Sequence, residues 1–196
     1  MLISLKDVRH CLDKAAEMTE QYKLYVLAAA SFPRSVDDLL WLCQEHEQKN
    51  ITDVSLDLKD RTILGAYLNL GASYVIIVGA NLNFCWKRFV LCKELFHVLL
   101  DAPEYRRMNI YEHLEEVKTT FPLLESRPGP STVCEAMAEM AAMEFLFPYA
   151  ARVEELEKNA SPDYLAIAQK YKIPQVYVEE YMSPSYMENL GAMLRR

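Results

Sequence analysis

Between residues 51 and 80 the sequence leaves the helical period that governs most of the chain and runs through three short β-branched and aromatic stretches. "ITDVSLDL", "TILGAYLNL" and "SYVIIVGA" are separated by "KDR" and by Gly71. Such runs, punctuated by turn residues, predict three short strands, and their even spacing predicts an antiparallel meander. Helical patterning lies on both sides. A small sheet flanked by helices, rather than alternating with them, is an α+β arrangement.

On the N-terminal side, the first 30 residues are rich in helix formers, and Pro33 closes that helix. Ser35 followed by Asp38 resembles a capping box that opens a second helix, "SVDDLLWLCQEHEQ". After the strands, "NLNFCWKRFVLCKELFHVLLD" returns to a helical period and stops before Pro103. "YEHLEEVKTTF" reads as a helix and "ESRPGPST" as a turn-rich linker. From Thr132 to about Lys158 the pattern is helical again, broken near Pro148, and "SPDYLAIAQKYKIP" has an N-cap and a proline stop. The tail from Val176 holds one or two short helices. This ordering divides the chain into an N-terminal helical segment (1–49), a central core (50–158) and a C-terminal helical tail packed on it (159–196).

Composition narrows the function classes. With 196 residues, 52% hydrophobic, the chain has material for one real core. A net charge of −7 is the wrong sign for a general phosphate-binding surface, which argues against direct binding of nucleic acid. Five cysteines, an odd number without a C-x-x-C pair, each lie within an apolar or helical segment. Reduced, buried thiols in a cytoplasmic protein are the expectation. Early charges in "MLISLKDVRHCLDK" and the lack of any 18-residue apolar run argue against a leader or a membrane span.

The stretch that carries chemistry is "RFVLCKELFHVLLD" at residues 88–101. Phe89, Cys92, Leu95, Phe96 and Leu99 form an apolar stripe. Lys93 and His97, four apart, leave one face together, flanked by Glu94 and Asp101. Two histidines at this spacing would grip a zinc ion, with the intervening glutamate as general base. Lysine offers no lone pair while protonated and repels a dication. By itself this helix also reads as an amphipathic helix with a partly buried histidine. Downstream, "TVCEAMAEMAAMEFLFP" places Glu135 and Glu139 on one face, although Thr132 and Glu135 also match a capping box.

Together these segments resemble the ImmA/IrrE-type zinc metallopeptidase domain family, over roughly residues 50–195. "GAYLNLGASYVIIVGANLNFCWKRFVLCKELFHVLLD" is similar to that family's strand pair and zinc helix. "EAMAEMAAMEFLFP" resembles its second signature, with Glu135, Ala138, Ala142, Leu146 and Pro148 at matching spacing. "AIAQKYKIPQVYVEEYM" resembles its helix-turn-helix-like tail. The resemblance implies a zincin-like fold. It makes His97 the second zinc histidine, Glu94 the general base and Glu135 the carboxylate ligand, and it sets Glu139 where Asn or Asp is usual. Lys93 stands at the first zinc histidine, and Phe96 replaces a small residue.

The expectation is therefore a metal-free ion cluster, with Lys93 pairing with Glu135, Glu139 or both, and Asp101 alongside. No cofactor is favoured, and zinc enters only if the site is functional. Repair of the site by His113, His46 or His10 is the lesser option. Two functions follow. One is a pseudoenzyme that binds an intracellular protein or peptide, with a helix-turn-helix repressor of a mobile element or phage among the candidates. The alternative is an active zinc endopeptidase that cleaves an intracellular regulatory protein. The apolar "LYVLAAASF" near the N-terminus reads either as core or as a partner surface.

Overall fold

The computed structural model of the chain describes residues 4–26, 31–58, 63–100, 130–159 and 161–195, with only the backbone given for residues 130–132. Among the described residues there are eight helices and one three-stranded sheet, so the α+β fold class holds. Helix α1 spans Leu5–Tyr25 and α2 spans Val36–Glu47. The sheet comprises β1 (Asn50–Leu56), β2 (Gly65–Asn69) and β3 (Ser73–Gly79). Helix α3 runs Phe84–Leu99 and α4 Pro130–Leu146. The C-terminal part holds α5 (Tyr149–Lys158), α6 (Tyr164–Tyr171), α7 (Gln175–Tyr181) and α8 (Pro184–Leu194).

Local chemistry sets most of the boundaries. Ser4, Ser35, Asn83 and Asp163 each accept a hydrogen bond from a backbone N–H in the first turn of the helix they open. The Ser35 bond to the N–H of Asp38 is the cap expected from the sequence. Pro148 ends the long helical run by separating α4 from α5. The segments "YEHLEEVKTTF" and most of "ESRPGPST" lie outside the described residues.

The strand arrangement corrects the meander. The order is β1-β3-β2, with β1 parallel to β3 and β2 antiparallel to β3. Strand spacing alone cannot order a sheet; side-chain composition can. β3 carries "SYVIIV" with an alternating buried face and suits the centre. β1, with Thr52, Asp53 and Ser55 exposed, suits an edge. The hairpin from β2 to β3 turns at Gly71, whose φ of 82° lies in the left-handed region that glycine tolerates.

α3 is the keystone. It packs against β2, β3, α2 and α4, and α1 lies along α4. Cys11, Met18 and Tyr22 of α1 are buried there, with Cys11 Sγ 3.6 Å from Met140 Sδ and Tyr22 edge-on to Phe145. The N-terminal helix is thus core packing for the helix that bears Glu135. Leu24 and Tyr25, at its end, are exposed. All five cysteines are free, four of them buried. No helix among the described residues is long and apolar enough to cross a membrane.

β2 sits directly on α3 because Gly65 has no side chain. A Cβ there would overlap Cγ1 of Val90 and come within 2.9 Å of the Ile77 carbonyl oxygen. Gly65→Ala is expected to push β2 off α3 and cost about 1–3 kcal/mol in urea unfolding. An unchanged midpoint would contradict that packing.

Candidate functional site

The site lies where α3 faces α4 beneath β2. Lys93, Glu94 and His97 fall on one side of α3 because positions one and four apart stay within about a third of a turn. An amphipathic helix would leave these residues wet. Here β2 and α4 cover them, and Glu94 and His97 are only 2% and 1% exposed. Phe96, a member of the apolar stripe, packs in the core toward Phe145.

Lys93 Nζ donates to Glu135 Oε2 at 2.6 Å and lies 3.3 Å from Glu94 Oε1. Nε2 of His97 lies 3.2 Å from Glu135 Oε1, off the alignment a hydrogen bond needs, so this approach is an electrostatic contact. On its other side, Nδ1 of His97 is 3.4 Å from Cys134 Sγ. Tyr67 of β2 stacks on the imidazole, with centroids 5.5 Å apart. Lys93, Glu94, His97 and Glu135 thus converge.

Glu139 does not join them directly. Its carboxylate accepts hydrogen bonds from Tyr177 at 3.2 Å and Tyr181 at 3.1 Å. Its reach toward Lys93 is spent on the phenols of α7. Burial raises the Glu139 pKa, against the charge of Lys93 and the two phenols. Asp101 and His113 lie outside the described residues, as does the side chain of Thr132. His46 pairs with Glu17 and Glu47, and His10 is exposed.

Cys134, Tyr67, Tyr177 and Tyr181 were not singled out from the sequence. A buried histidine needs a partner on each ring nitrogen, and Cys134, immediately before Glu135, supplied the only hint of one. The tyrosines come from a strand and a helix distant in sequence, and only the fold brings them here.

Burial alone would lower the pKa of His97. The charge of Glu135, the contact with Cys134 and the charge of Glu94 outweigh it and raise the pKa to about 10. Lys93 is likewise raised: burial opposes its charge, but Glu94 and Glu135 prevail. The imidazole is therefore an imidazolium at neutral pH. A pKa raised above the unfolded value near 6.5 gives stability that is complete below about pH 6.5 and is lost as pH rises through about 10. Urea unfolding is expected to weaken across that window, and the part of the weakening below about pH 9, where the buried thiols do not yet contribute, should vanish in His97→Gln. A neutral His97 in ¹⁵N spectra at pH 7.5 would contradict this.

A catalytic zinc normally takes three protein ligands and a water. Here His97 and Glu135 supply two donors, and the third position carries an ammonium that holds Glu135. Among the described residues, no group of three or more His, Cys, Asp or Glu side chains converges to hold a metal. The donor set of the described residues does not fit a catalytic zinc.

A small sheet over a central helix, with a second helix presenting a glutamate to it, defines a zincin-like domain of metallopeptidase type. The family model for the IrrE N-terminal-like domain, peptidase M78, matches residues 46–182, and the chain belongs to that family. No curated protein matches the chain.

Proposed function

We propose that this chain is a non-hydrolytic member of its family, which docks an intracellular protein or peptide beside the ion cluster and leaves it uncut. One observation carries the reading: the Lys93 ammonium lies 2.6 Å from Glu135, at the position where the family resemblance would set the first zinc histidine. Glu94 then has no polarised water to act on, and its nearest charged neighbour is Lys93 at 3.3 Å. β2 is a terminal strand of the sheet, beside the cluster, and suits a peptide added as a further strand.

The partner in this reading is a cytoplasmic regulatory protein. A helix-turn-helix repressor of a mobile element or phage is the leading candidate, as the family resemblance suggests. The free thiols agree with a reducing compartment, and the −7 charge favours a protein partner over nucleic acid.

The second reading is an active zinc endopeptidase that cleaves an intracellular regulatory protein. It is favoured by the buried Nε2 of His97, which has no hydrogen-bond partner and faces Glu135. A display library of random peptides, incubated with the chain with and without excess zinc, separates the two. Retained, intact peptides in both conditions support docking. Zinc-dependent cleavage supports the second reading, and a failure to retain any peptide contradicts docking.

A further inference from the structure

In a metal-bearing site of this architecture the ion is also a mechanical joint, because its ligands come from two helices. In this chain the joint is made of side chains. Lys93 of α3 bonds Glu135 of α4 at 2.6 Å, and His97 of α3 lies 3.2 Å from the other oxygen of the same carboxylate. Glu94, 3.3 Å from Nζ, supplies a second negative charge. Among the described residues, the other neighbours make no hydrogen bond to Lys93. Glu139 is held by Tyr177 and Tyr181, Cys134 sits against Nδ1 of His97, and Tyr67 covers the imidazole face.

We infer that Lys93 is a tethered cation that has taken over the structural task of the metal, so that α3 and α4 are held together whatever the supply of divalent ions. This rests on the non-hydrolytic reading of the same site. A diffusible ion binds at a concentration-dependent occupancy, whereas a side chain is always present. An ammonium at contact distance from Glu135 also repels any dication that approaches the two remaining donors. With its side chain only 18% exposed, Lys93 is poorly screened by solvent. A helix junction built this way cannot be switched by metal supply or by chelation.

The test is thermal unfolding of the untagged full chain with chelator and with excess zinc, for wild type, Lys93→Arg and Lys93→Met. Wild type is expected to melt at the same temperature in both conditions. Lys93→Arg should stay close to it, and Lys93→Met should fall by about 5–10 °C. A wild-type midpoint that drops with chelator or rises with zinc overturns the inference, as does a Lys93→Met midpoint equal to wild type. If Lys93→Met cannot be purified folded, that is the expected loss in its extreme form, and the wild-type comparison still decides. Failure here is distinct from failure of docking. Zinc-raised melting with intact retained peptides sinks the tethered cation alone, and cut peptides with zinc-insensitive melting sink the docking reading alone.

Discussion

Glu144→Ala is expected to destabilise the fold by about 3–5 kcal/mol, because it strands a charge in the core. Arg152 of α5 is fully buried and pairs with Glu144 at the end of α4. Its guanidinium lies 5.7–5.9 Å from the ring centroids of Tyr149, Tyr181 and Tyr186, and Nη1 donates to the Tyr181 carbonyl at 3.4 Å. Burial lowers its pKa to about 10, so it remains charged at neutral pH. Glu144 has a second duty, accepting from the backbone N–H of Tyr149 at 3.0 Å. Glu144→Gln keeps an acceptor there and should lose less than alanine. Removing both charges, Glu144→Leu with Arg152→Met, should cost less than Glu144→Ala alone, since no charge is then left unpaired. Urea unfolding of the four proteins checks this. A loss below about 1 kcal/mol for Glu144→Ala would mean that the aromatic rings suffice to hold the guanidinium.

Lys93→His is expected to make the chain bind about one zinc where the proposed wild-type ion cluster binds none. An imidazole at position 93 stands four residues before His97 on the same face of α3, with Glu135 opposite. Cys134 already sits against Nδ1 of His97, which leaves Nε2 to face the ion. Binding must release the proton that His97 carries, so uptake should strengthen as pH rises above neutral. Stability should become sensitive to chelators, with a gain of about 2.7 kcal/mol when free zinc is a hundred times the dissociation constant. If Lys93→His takes up no zinc, the substitution at this position is not what separates the chain from a metal site.

The fold class and the site helices were legible in the sequence because both rest on local pattern. Lys93, Glu94 and His97 share a face by helical spacing alone, and the second signature put Glu135 opposite them. Three things were hidden, for different reasons. Strand order follows the side-chain composition of each run, and the spacing of three runs along the chain does not reveal it. β1 therefore pairs in parallel with β3, where a meander was expected. The destination of Glu139 was hidden because its partners Tyr177 and Tyr181 lie 38 and 42 residues away, in a helix that meets α4 only in the folded chain. Length made Glu139 look suited to Lys93, but two phenols reach it first. The burial of Glu94 and His97 was also missed, since an apolar stripe on α3 does not say that a strand will close over the polar side.

The most direct measurement is the zinc content of wild-type protein purified without a histidine tag and without chelator, by elemental mass spectrometry. The account predicts far less than one zinc per chain, on the order of a tenth or below, because an ammonium stands where a ligand should. A content of about one zinc per chain would contradict it, and the chain would then be read as a peptidase with unusual ligation.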